Sequence, residues 1–149
     1  MVKVDVSVII NRSAEEVWAY LDDPSNWPEW NATVLEAKAS DRPLRVGTTV
    51  ESVAKFLGRR ITSTFEITEY EPGRKVVSRT TAPFPLTQTY IVEPAAGRAR
   101  VSGTLEGEPG GFFKLGEPIL ARIAKKQVDS QFETLKEILE ARVPAATRT

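Results

Sequence analysis

Near residue 108 the chain changes its hydrophobic period for good, and that change dictates what it can fold into. Before it, outside residues 13–30, apolar and polar residues alternate in short runs. The first run sets Val2, Val4, Val6, Val8 and Ile10 against Lys3, Asp5 and Ser7, the pattern of a half-buried strand. After Gly110-Gly111 the spacing becomes helical: Phe113, Ile119-Leu120, Ile123-Ala124, Val128, Phe132, Leu135 and Ile138-Leu139 recur at about 3.6 residues over about 25 positions. One long amphipathic helix that follows a run of strands must bury its stripe on the face of the sheet those strands build.

Local signals fill in the rest. Ser13-Ala-Glu-Glu16 is a capping box, and Ala14, Val17, Trp18 and Leu21 share one helical stripe that Asp22-Asp23-Pro24 ends. Pro24 to Trp30 starts a second helical turn. Turn residues at Asp41-Arg-Pro43, Gly58, Glu71-Pro-Gly73, Ala82-Pro83 and Ala95-Ala-Gly97 then divide the chain into six strands near 31–40, 47–57, 59–70, 74–81, 85–93 and 99–107. The connections are short, so the six form an antiparallel meander. The expected fold is α+β, β-α-α-β6-α: a curved antiparallel sheet of about seven strands wrapped around the C-terminal helix, a helix-grip domain over residues 1–143, with a flexible tail at 144–149. A sheet curved around one helix leaves a gap at one end, a natural place for an apolar ligand.

Composition narrows the chemistry. The 149 residues contain neither Cys nor His, which removes the disulfide, the thiolate nucleophile, the imidazole base and the usual zinc ligands. Twenty Lys+Arg balance 20 Asp+Glu without a long basic run, so nothing points to nucleic acid. No Gly-rich phosphate loop is present, and no cofactor or metal is expected. Asp5 interrupts any signal-type apolar stretch and no window reaches the ~18 apolar residues of a membrane span, so the chain reads as cytoplasmic, a monomer or homodimer. Peripheral membrane contact through Gly110-Gly-Phe-Phe113 stays open.

With this order of elements, Glu15-Glu-Val-Trp-Ala-Tyr-Leu-Asp-Asp-Pro-Ser-Asn-Trp-Pro-Glu-Trp30 resembles the polyketide cyclase/dehydrase and lipid-transport family of the START and birch-pollen-allergen (SRPBCC) superfamily. Phe65-Glu-Ile-Thr-Glu-Tyr-Glu-Pro-Gly73, Thr89-Tyr-Ile-Val-Glu-Pro94, and Gly111 to Leu120 leading to Phe132-Glu-Thr-Leu-Lys-Glu-Ile-Leu-Glu140 agree with it. The resemblance spans nearly the whole chain and implies the helix-grip fold. For function it implies only a range, from aromatase/cyclases to lipid and quinone carriers, and it brings no catalytic motif.

Candidate site residues come in three groups. Aromatic ones are Trp27 and Trp30, spaced three apart in a Pro-bounded segment too short to absorb both, with Phe65 and Phe113; packing is the plainer role for each, and Trp18 reads as core. Polar residues on apolar faces are the sharper clue, because a buried hydroxyl or amide needs a partner. Ser63 lies with Ile61, Phe65 and Ile67, Gln88 and Tyr90 with Leu86 and Val92, and Ser78 and Thr80 with Val76. On the helix Gln127 follows Ile119 and Ile123. Internal hydrogen bonds or an outward register are the competing explanations. Arg59, after the Gly58 turn, is a solvated charge or the polar anchor for an acidic ligand group.

Three functions compete. The first is binding of a small hydrophobic or aromatic molecule, of lipid, polyketide or quinone type, between sheet and helix. The second is a cyclase or dehydratase in which Tyr90, Arg59 or a buried Glu such as Glu69 moves a proton without metal or His. The third is an interaction module that takes no ligand.

Overall fold

The computed structural model describes residues 1–142, so the expected tail at 144–149 lies outside the described residues. Seven strands pair into one antiparallel sheet: β1 (Val2–Ile10), β2 (Val34–Ala39), β3 (Thr49–Phe56), β4 (Arg59–Glu71), β5 (Lys75–Thr80), β6 (Leu86–Ala95) and β7 (Arg98–Gly107). From β2 to β7 the sheet is a meander, and β1 pairs with the far side of β7, giving the order β1-β7-β6-β5-β4-β3-β2. Strands β1 and β2 are thus consecutive in the chain yet lie at opposite edges. The segment between them must cross the sheet, and it does so as α1 (Ala14–Leu21), a 3-10 turn (Pro24–Asn26) and α2 (Trp27–Trp30), packed against β2, β6, β7 and the last helix.

Local chemistry explains the boundaries. The Ser13 hydroxyl accepts from the Glu16 amide at 3.2 Å and caps α1. Strand β2 begins at Val34 rather than near residue 31, because the Asn31 carboxamide accepts from both the amide (3.1 Å) and the hydroxyl (2.8 Å) of Thr33, which holds a turn there. Leu57 and Gly58, at φ 51° and 76°, make the tight β3–β4 turn, so Arg59 opens a strand instead of standing in the loop. Register shifts lie between Val34 and Glu36 and between Ile67 and Glu69, and such bulges bend strands. The second one also overturns a sequence expectation. Strict alternation after Ile67 would turn Glu69 inward, but Glu69 is exposed and paired with Lys75 at 2.8 Å, while Tyr70 is half-buried and donates to Asp22 at 2.6 Å.

Helix α3 (Glu117–Ala141) lies on the concave side, against β1. It starts after Phe113, at a Gly116 cap followed by Pro118, which lacks only an amide that the first turn leaves unpaired in any case. Its ends are buried in two separate clusters. Leu120 and Ala124 pack with Val2 and Val4; Phe132, Leu135 and Leu139 pack with Ile10, Val17, Trp18 and Val101. The C-terminal end is also latched to β1. Lys136 donates to the Ile9 carbonyl at 2.8 Å, Arg12 donates to the Glu140 carbonyl at 2.6 Å, and the Glu140 carboxylate accepts from Lys136 at 2.6 Å and the Asn11 amide at 2.8 Å. Among the described residues, no helix is long and apolar enough to cross a membrane.

Leu135 is fully buried whereas Ile119 is 51% exposed. Leu135→Ala should cost about 2–5 kcal/mol in chemical denaturation, and Ile119→Ser less than about 0.5 kcal/mol. The hydrogen bonds from Lys136 and then from the Asn11 amide hold the Glu140 carboxyl below its usual range. A lowered carboxyl pKa stabilises the fold above the unfolded value and loses that contribution as pH falls through the folded one. Glu140→Gln should therefore lower the melting temperature at pH 7, and the two proteins should converge as the acid limb is descended.

Candidate functional site

Helix α3 runs along β1, and a cavity of about 190 Å³ occupies the gap between its inner face and the rest of the sheet. Period-two alternation decides what lines it. Inward residues are Ser52, Ala54 and Phe56 from β3, Ile61, Ser63 and Phe65 from β4, and Thr80 from β5. From β6 come Leu86, Gln88 and Tyr90, and from β7 Gly103 and Leu105. The helix contributes Ala124, Gln127, Val128, Gln131 and Phe132 from its middle turns. Register sets Ser52 opposite Ser63, Gln88 opposite Leu105, and Tyr90 opposite Gly103.

Tyr90 and Phe132 form the floor, and Trp30 backs them. Trp30 meets Tyr90 edge-on at 6.0 Å and Phe132 edge-on at 5.9 Å, and Tyr90 and Phe132 lie nearly parallel at 6.3 Å. Glycine is required at 103, because a Cβ there would stand 2.7 Å from Cζ of Phe132. At the opposite end Phe56, Phe84 and Phe113 converge, with ring centroids 5.2 Å (Phe56–Phe113) and 5.7 Å (Phe84–Phe113) apart, and Phe112 backs them at 4.9 Å from Phe113. The Arg59 guanidinium lies 3.8 Å over the Phe112 ring and donates to the Phe112 carbonyl, tying the β3–β4 turn to the segment before α3.

The polar atoms divide into two kinds. Thr80 donates to the Ala82 carbonyl at 3.1 Å, and Gln131 donates to the Thr33 hydroxyl at 2.6 Å, which in turn donates to Asn31. The side chains of Ser52, Ser63, Gln88, Tyr90 and Gln127 make no hydrogen bond to any described residue and face the cavity. Burial pushes the Tyr90 phenol up to about 12, so at neutral pH it is a donor.

Seven of the expected site residues line this space: Ser63, Phe65, Thr80, Gln88, Tyr90, Phe113 and Gln127. The other five stand elsewhere. Trp30 is buried behind the floor rather than in it, and Trp27 donates its indole N–H to the Leu21 carbonyl at 2.9 Å and packs in the core around α1. Ile119 and Ile123 flank the buried stripe of α3 on its outer side, because Leu120 and Ala124 occupy the inner positions. Arg59 serves a loop, and its exposed guanidinium is no wall of the cavity. Ser52, Phe56, Phe84 and Gln131 are wall residues that the sequence reading passed over. Ser52 carries the same signal as Ser63, a hydroxyl in the alternating series Val50, Ser52, Ala54, Phe56.

The family described as polyketide cyclase / dehydrase and lipid transport matches residues 1–140. The chain belongs to this family. No curated protein matches it. Among solved structures, a START superfamily protein from Mycobacterium smegmatis superposes with a TM-score of 0.77 at 13% identity, covering 93% of this chain and 97% of that one. TTHA0849 from Thermus thermophilus gives 0.75 at 18% identity, with 98% and 99% covered. The di-domain ARO/CYC BexL from the BE-7585A biosynthetic pathway gives 0.71 at 19% identity, with 94% of this chain matching 47% of that one. At such identities the likeness is one of fold, START-like and helix-grip.

In this member of the polyketide cyclase/dehydrase and lipid-transport family, the Gly103–Phe132 approach sets the depth of the cavity. Gly103→Ala should cost about 1–3 kcal/mol through overpacking, and Phe132→Leu in the same chain should recover part of it. A double-mutant cycle by urea denaturation reads this directly; additive losses would mean that the two positions do not press on each other.

Proposed function

We propose that the protein binds a small, mainly hydrophobic or aromatic molecule in the space between sheet and α3. The observation that carries this reading is the cavity itself. It sits where a well-packed interior would have none, since native cores leave few voids larger than a water. Its volume exceeds the ~150 Å³ of an apolar engineered cavity that takes up benzene, and falls short of the ~300 Å³ at which drug-sized pockets begin. A one- or two-ring molecule suits it, and an extended acyl chain would need the aromatic end to part.

Binding is favoured over proton-transfer chemistry by the wall. Among the described residues Tyr90 is its one group with a titratable side chain, and its phenol is pushed up to about 12 by burial, which suits donation and not abstraction. Burying about 250 Å² of ring surface yields about 6 kcal/mol before the cost of association, so a bare hydrocarbon should bind on the order of 0.1 mM or more weakly.

Titration of 2-naphthol into the full chain, followed by calorimetry and native mass spectrometry, should show one equivalent bound. Ala54→Trp, which fills the cavity from β3, should abolish that signal while the far-ultraviolet circular dichroism stays that of the parent. Absence of binding to the parent, or undiminished binding to Ala54→Trp, contradicts the assignment.

A further inference from the structure

In a chain of which 27% of residues are charged, no Asp, Glu, Lys or Arg among the described residues lines the cavity. The charges of the lining strands stand on the other face. Glu51, Thr62, Thr64 and Glu66 alternate with the wall residues of β3 and β4, and Arg79 opposes Glu66 on β5, all exposed. Of the uncharged polar side chains on the wall, five are left without a partner among the described residues: two hydroxyls (Ser52, Ser63), two carboxamides (Gln88, Gln127) and the Tyr90 phenol. The satisfied pairs on the same wall, Thr80 with Ala82 and Gln131 with Thr33, make the contrast within one site.

Such a wall treats neutral and ionic ligands differently. An ionised carboxylate or ammonium entering it sheds its hydration and meets no opposite charge, a loss of several kcal/mol that neutral donors only partly repay. A ketone, amide or phenol sheds far less water and finds donors and acceptors waiting. Among the five, Tyr90 has the most constrained donor. Trp30 and Phe132 hold its ring from two directions, and Gln88 stands two residues along the same face of β6.

Resting on the binding assignment above, we propose that the cavity selects the uncharged form of an oxygen-bearing ring compound, and that Tyr90 is a specificity-determining residue, donating to the ligand's carbonyl or phenolic oxygen. Selection of this kind needs no charged residue at all. It follows from leaving charges off the wall and leaving five polar groups unpaired on it.

Five probes of similar size separate the terms: naphthalene, 2-naphthol, 1-tetralone, 2-naphthoate and 2-naphthylmethylammonium, each titrated calorimetrically at pH 7 into the full chain, into Tyr90→Phe and into Gln88→Leu. The two ions should bind at least ~100-fold more weakly than 2-naphthol. Tyr90→Phe should weaken 1-tetralone about tenfold, the size of one buried hydrogen bond, and leave naphthalene within about twofold. Gln88→Leu should leave the preference for neutral probes in place. Naphthoate binding as tightly as naphthol would overturn charge selection while the binding assignment stands. Equal losses of naphthalene and tetralone in Tyr90→Phe would make Tyr90 a wall and not a donor. Silence of all five probes in the parent would remove the binding assignment and this inference together.

Discussion

Everything in this molecule depends on how α3 is held along β1, at one edge of the sheet. Leu120 and Ala124 are fixed by the start of β1, and Phe132, Leu135 and Leu139 by its end together with α1. The Lys136, Arg12 and Glu140 bonds fix the same end again in polar terms. Between these ends Lys125 donates to the Asp5 carbonyl at 2.9 Å and Val128 packs against both clusters. A helix is stiff over such a length, and a sheet that curves away from it leaves a gap between its inner face and the other strands. Gln127, Val128 and Gln131 face this gap without filling it. The cavity is thus a consequence of a straight helix docked along one edge of a curved sheet.

The sheet order imposes the second constraint. Since β1 and β2 lie at opposite edges, the chain between them has to cross, and it brings Trp30 under Tyr90 and Phe132. One end of the hollow is closed by this crossing and has a buried, rigid floor. The other end is closed only by phenylalanines on two loops and a strand end, with Arg59 bridging backbone and ring. The two ends differ in kind: aromatic packing inside a continuous core at one, and loop-borne rings with partial exposure at the other. Entry of a ligand is easier where fewer buried contacts must part, which favours the Phe84–Phe113 end.

Much of this was legible from residue order. Alternation placed Ser63, Gln88 and Tyr90 on inward faces, and the switch to a 3.6 period located α3, because a strand's side-chain period leaves only two registers and a helix's stripe leaves one buried side. What failed to show has particular causes. The bulge after Ile67 has no sequence mark, and it reverses Glu69 and Tyr70. Ile119 and Ile123 belong to the apolar stripe by spacing, yet a stripe wider than the contact leaves its outer members uncovered, and only docking decides which. Trp27 and Trp30 were separated by topology: one indole finds a backbone carbonyl beside α1, and the other is carried beneath the cavity. Arg59 depended on the position of a loop 53 residues further along the chain.

The absence of His and Cys takes on a different weight once the wall is known. Removal of the commonest acid, base and nucleophile says nothing about Asp, Glu, Lys or Arg, of which the chain has 40. Among the described residues none of these reaches the cavity, because every lining strand keeps its charges on the alternate face. A wall of this kind offers no group that readily takes a proton at neutral pH, whereas it can match a neutral polar group atom by atom. Burial and hydrogen-bond geometry are then the means by which the proposed binding site can discriminate, and so far as they act equally on ground and transition states they give uniform binding. Uniform binding of that sort retains and presents a molecule; it does not by itself lower a barrier.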